Sequence, residues 1–130
     1  KTDINSGNSV YEQSALKTFY GKTLEEALKL LQDYFAYYGE QLGWMSSAGF
    51  AYYARAWEIL LGIYDFEASD PEFTDELAGY TRSIIVWRYA WWENDPPECR
   101  RILRHLLDFC EKHHHADATL RAWLDDENEH

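Results

Sequence analysis

Between Trp44 and Gly62 the chain reads Trp-Met-Ser-Ser-Ala-Gly-Phe-Ala-Tyr-Tyr-Ala-Arg-Ala-Trp-Glu-Ile-Leu-Leu-Gly, and from Ser47 to Leu61 only Arg55 and Glu58 carry charge. A helix that is apolar around most of its circumference belongs inside a bundle. This stretch therefore predicts an all-α domain of five or six helices packed around residues 47–61. Ser46 suits the N-cap, where its hydroxyl would accept an orphan backbone N–H. Met45 and Phe50 fall at the positions of a hydrophobic staple. Phe50, Tyr53, Trp57 and Leu60 form one stripe, which Tyr52 and Ile59 widen. Gly62 is placed just past the end, as a left-handed stop. Gly49 weakens the first turn by about 1 kcal/mol relative to Ala, which a closely approaching neighbour would explain.

The remaining helices are read from caps and spacing. Residues 1–8 are polar and read as a frayed end, and Ser9 to Tyr20 as a short helix ending at Gly21. Thr23-Leu24-Glu25-Glu26 is a capping box. It opens a helix in which Leu24, Leu28, Leu31, Phe35 and Tyr38 recur at helical spacing, with Gly39 as the stop. Asp70-Pro71 is a cap followed by a proline at the first helical position. From there Phe73, Leu77, Tyr80, Ile84, Trp87 and Trp91 keep helical spacing. The run Ser83 to Trp87 carries strand propensity that the longer stripe outweighs, with a break near Gly79 left open. Asp95-Pro96-Pro97 repeats the cap-and-proline logic. It introduces a helix with Cys99, Ile102, Leu103, Leu106 and Cys110 inward, and Arg100, Arg101, Arg104 and His105 outward. Asp117 caps a last helix carrying Leu120, Trp123 and Leu124, and 125–130 is an acidic tail. Neither repeat nor linker divides the chain, so 1–130 reads as one domain.

Composition narrows the class of function. One hundred and thirty residues with six Trp and ten Tyr suffice for one packed core. Twenty-three acidic residues stand against twelve basic ones, a net charge of −11. Nucleic-acid and anionic-membrane partners need Lys and Arg to displace counterions, and this balance argues against both. It suits solubility or a basic protein partner. Cys99 and Cys110, about 16 Å apart along one helix, cannot bridge each other. They read as reduced core thiols, which places the protein in the cytoplasm. No stretch approaches the roughly 20 apolar residues of a membrane helix. The chain opens on Lys1 rather than Met, which leaves a removed leader open.

The sharpest local asymmetry lies between Ala56 and Thr81, where seven acids occur without a base: Glu58, Asp65, Glu67, Asp70, Glu72, Asp75 and Glu76. Tyr64, Phe66 and Phe73 are interleaved with them. Charge would speed the encounter with a cationic partner, and buried rings would supply affinity. The candidate partner-binding residues are therefore Tyr64, Asp65, Phe66, Glu67, Asp70, Glu72, Asp75 and Glu76. The plainer account is a solvated connection whose acids favour a helix N-terminus. Arg100, Arg101 and Arg104 form a small basic patch, expected to pair within the chain, with Asp108 and Glu111 or with the acidic loop. The run His113-His114-His115 near Asp117 raises a metal reading. Adjacent helical residues point about 100° apart, and two ligands, His113 and Asp117, are too few for structural zinc. No metal or other cofactor is assigned. No nucleophile elbow, P-loop or His-Glu-x-x-His motif is present, so no catalytic residue is assigned either and the chain is read as a non-enzyme. A self-associating scaffold with Tyr89, Trp91 and Trp92 as a homodimer face is the alternative class, and a metal-dependent enzyme is the third.

Gly49-Phe50-x-Tyr52-Tyr53-x-x-Ala56-x-x-x-Leu60, entered through Ser46, resembles a helix motif of small acidic bacterial proteins of unknown function, some of which look like toxin-immunity proteins. Here Ala54-Arg55-Ala56 stands where that motif has Leu-Pro-Ala, and the match spans about fifteen residues. The resemblance implies a bacterial, cytosolic, helical protein and assigns no toxin; joined to the acidic segment, it leads to the expectation of an immunity protein that occludes a basic toxin through Tyr64 to Glu76. It implies no catalytic residue.

Overall fold

The computed structural model describes residue 19 and residues 21–63, 70–91 and 95–126, with the side chain of Trp91 excluded. Six α-helices account for most of these residues, and among them no strand occurs. They are α1 Leu24–Asp33, α2 Phe35–Gly43, α3 Ser47–Ile63, α4 Pro71–Trp91, α5 Pro97–Lys112 and α6 Ala118–Asp125. The all-α bundle expected from the sequence is the fold. Helix α3 packs against α1, α2 and α5, while α4 packs against α2, α5 and α6. Helices α2 and α5 thus join the two longest elements.

Phe19 is helical, and Gly21 follows it with φ 79°, the left-handed stop that glycine adopts at little cost. The rest of the helix expected over Ser9 to Tyr20, and the ends 1–8 and 127–130, lie outside the described residues. Helix α1 opens on the expected capping box. The Thr23 hydroxyl accepts from Glu26 N at 3.1 Å, and Thr23 N donates to the Glu26 carboxylate at 2.9 Å.

The helix expected to run on to Gly39 instead breaks at Tyr34, whose φ of −147° and ψ of 73° separate α1 from α2. The break redirects the chain from the flank of α3 onto α4, contacts that one straight rod does not make together. Gly39 is buried inside α2, where a methyl group would overlap the Trp57 ring. At Gly43 an added Cβ would lie 2.9 Å from Trp87 Cβ. Gly39 therefore serves close packing rather than helix termination, whereas Gly43, the last residue of α2, combines a close approach with the turn into α3.

In α3, Phe50, Tyr53, Trp57 and Leu60 are buried together with Gly49, Ala54 and Ala56. The Tyr53 hydroxyl donates to the Lys22 carbonyl at 2.8 Å, and Trp57 Nε1 donates to Thr81 Oγ1 at 2.9 Å. Each polar tip on these rings thereby finds a partner. Ser46 stands at the N-cap position, its carbonyl accepting from Phe50 N at 2.9 Å. The helix is not enclosed on every side. Tyr52 and Ile59 do not widen the buried stripe but remain 43% and 44% exposed. Gly62 lies within the helix and has no positive φ. The sequence of α3 is apolar beyond the width that its neighbours cover.

Helix α4 is continuous through Gly79, about 30 Å of helix for 21 residues. Asp70 caps it, its carboxylate accepting from Glu72 N at 3.0 Å. Asp95 does not cap α5. Pro96 holds that position, and Asp95 is drawn inward by a buried charge.

Candidate functional site

The sequence places the partner-binding segment from Tyr64 to Glu76. Tyr64, Asp65, Phe66 and Glu67 lie outside the described residues. Asp70, Glu72, Asp75 and Glu76 are described, and all four are exposed around the first turns of α4. Asp70 is occupied with its own helix cap. Asp75 meets His115 Nε2 at 2.8 Å while its side chain remains 72% exposed. Phe73 is not an outward anchor. It is half-buried, with its ring edge-on to Phe35 at 5.6 Å. Glu58 is set apart from this group, pairing with His105 Nδ1 at 2.9 Å.

One helical face carries the acidic end of α4 into an aromatic cleft. Glu76, Tyr80, Ser83 and Trp87 follow one another at spacings of four, three and four residues, and so share a side of α4. Tyr80, Ser83 and Trp87 line a cleft of about 370 Å³ with Ala36, Tyr37 and Glu40 of α2. Tyr80 leans on Phe35, edge-on at 5.5 Å, and Trp87 on Trp44 at 5.8 Å. Sequence spacing assigns Tyr80 and Trp87 to a core stripe and does not single out Tyr37 or Glu40. The cleft arises only from the pairing of α2 with α4, which helical periodicity does not encode.

A second polar cluster is fully enclosed. Arg88 Nε and Nη2 donate to the two Asp95 oxygens at 2.9 and 2.7 Å, and both side chains are withdrawn from solvent. Arg88 also donates to the carbonyls of Gly43 and Met45, and its guanidinium lies 4.4 Å from the Phe50 ring centre. The Ser47 hydroxyl donates to Asp95, and the Cys99 thiol to the Ser47 carbonyl at 3.3 Å. Here a charged pair joins α4 and the start of α5 to the α2–α3 turn. Burial pushes both Cys99 and Cys110 up to about 12, so neither is a nucleophile near neutral pH.

The basic patch of α5 does not face outward as a unit. Arg100 is buried over the Trp123 ring and donates to the Trp123 carbonyl. Arg104 Nε donates to the Leu124 carbonyl at 2.9 Å. Both arginines thus serve the C-terminal carbonyls of α6, where cations are favoured. The partners expected for them, Asp108 and Glu111, are taken by Arg121 instead, at 2.7 and 2.9 Å.

The histidine run is dispersed. His113 packs on Phe109, and burial lowers its pKa. His114 has φ 71°, and His115 turns to Asp75. Asp117 caps α6 through Leu120 N at 3.0 Å and meets Arg82 at 2.6 Å. Among the described residues no three His, Cys, Asp or Glu side chains come together as a metal site, and no helix is long and apolar enough to cross a membrane. Of the alternative homodimer face, Tyr89 is exposed and rests against Trp123 at 5.1 Å. The Trp91 side chain and Trp92 lie outside the described residues. Compared with family models, with curated proteins and with solved structures, the chain matches none.

Proposed function

We propose that the chain is a non-catalytic, cytoplasmic binding protein that occludes a cationic protein, a toxin domain for which it is the immunity partner. The segment from Tyr64 to Glu76 is its docking surface. The observation that carries this reading is the exposure of Asp70, Glu72, Asp75 and Glu76 together, with His115 as the one base bonded to any of them among the described residues. A cluster of this sign on a chain of net charge −11 accelerates encounter with a basic surface and repels acidic competitors.

The test is co-expression with the product of the adjoining reading frame, followed by purification at low salt and stopped-flow association. A cationic product is expected to be retained. Glu72→Lys combined with Glu76→Lys should slow association about tenfold or more while the circular dichroism of the chain is unchanged. Retention of no cationic neighbour, or an association rate indifferent to the double charge reversal, overturns the reading. A stable dimer by sedimentation without any partner would favour the scaffold alternative.

A further inference from the structure

We infer that the α2–α4 cleft receives an arginine side chain of the cationic partner, an inference that rests on the docking reading above and names its anchor. Three rings bound the cleft: Tyr37, which is 57% exposed, Tyr80 and Trp87. Two of the three are set in place before any ligand arrives. Tyr80 is edge-on to Phe35, and Trp87 is held between Gly43 and Trp44. Such preorganisation lowers the ordering cost of binding. The lining residues that carry polar groups are Glu40, Ser83, the two tyrosines and Trp87, and no Lys, Arg or His is among them. The Ser83 hydroxyl donates to the Gly79 carbonyl at 3.1 Å, which leaves its oxygen as an acceptor.

Aromatic faces combined with a carboxylate and further acceptors match a guanidinium better than other cations. A guanidinium is planar, stacks on rings, is weakly hydrated and directs several N–H donors in its plane. A lysine ammonium is compact and strongly hydrated, and gains less from the rings. A quaternary ammonium would leave Glu40 and Ser83 without a donor. The cleft volume is at the small end for a ligand site, in keeping with one side chain rather than a cofactor. Its position completes the argument. The face of α4 that begins at Glu76 runs directly into Tyr80, Ser83 and Trp87, so a chain steered by the acidic turns meets the cleft next.

The decisive experiment is an aromatic-resonance NMR titration of the full chain with Nα-acetyl-arginine methylamide. The control is the citrulline analogue, which has the same shape without the charge. Saturable shifts of the Tyr37, Tyr80 and Trp87 rings are expected with the arginine probe alone. Glu40→Gln and Tyr37→Ala alter exposed side chains, and each should weaken binding about two- to fivefold with the helical spectrum intact. An equal response to citrulline, shifts centred elsewhere, or affinity unchanged by Glu40→Gln overturns the inference. The two readings separate cleanly. If the neighbouring cationic protein is retained equally by wild type, Glu40→Gln and Tyr37→Ala, docking stands and the cleft assignment falls. If the arginine probe saturates the cleft but no cationic protein is retained, the cleft chemistry stands and the docking reading falls.

Discussion

Arg88 and Asp95 lie seven residues apart, yet the two side chains meet in a site closed to water. An isolated charge there would be costly, and each exists because the other does. Asp95→Asn leaves the guanidinium without a counter-charge and is expected to destabilise the chain by about 3–5 kcal/mol, read from urea denaturation. Replacing both partners, as Arg88→Met with Asp95→Leu, should cost less than Asp95→Asn alone, because no charge is then stranded. A larger loss in the double variant would show that the carbonyls of Gly43 and Met45 matter more than the pair. From sequence, Asp95 ahead of two prolines is indistinguishable from a helix cap, and Arg88 is one more charge in a long helix. Only the position of the α2–α3 turn decides that they belong together.

At the scale of the elements, caps are where local sequence and structure agree most closely. Thr23 with Glu26, Asp70 and Asp117 all cap as their sequence contexts indicate. Asp117 does more than its motif implies, since it also meets Arg82 across from α4. Asp117→Ala should cost about 1–2 kcal/mol, one cap plus a half-exposed ion pair. The N–H of Leu120, aided by Arg82, holds the Asp117 carboxyl below its ordinary pKa. Its contribution is therefore present above the ordinary carboxylate range and is lost as pH falls below about 4. Melts of wild type and Asp117→Ala should converge on acidification, and curves that stay parallel would contradict this account. The break at Tyr34 is where local rules fail. Leucine and aromatic spacing continues through it, and packing of α1 on α3 and α2 on α4 overrides the helical propensity.

Across the whole molecule, α5 links both halves through its thiols. The Cys99 thiol donates to Ser47 of α3, and the Cys110 thiol to Ala78 of α4 at 3.6 Å. A labelling reagent reaches both only when the bundle opens. Thiol modification near pH 8 is thus expected to be negligible in the native state and to follow the same urea transition as circular dichroism. With folded thiols pushed up to about 12, the native state keeps its protons as the unfolded chain loses them. Stability should therefore decline as pH climbs above about 9. Rapid labelling without unfolding would show a breathing motion at α5. The sequence by itself determined the helical class, the buried stripe of α3, the caps at Thr23, Asp70 and Asp117 and the acidic character, because these depend on periodicity and on neighbours within a few residues. Tertiary structure alone decided the Tyr34 break, the close contacts at Gly39 and Gly43, the Arg88–Asp95 pair and the cleft of Tyr37, Glu40, Tyr80 and Trp87. Each of those joins residues from different elements, and the energy that selects them comes from burial and charge pairing that exist only once the helices have met.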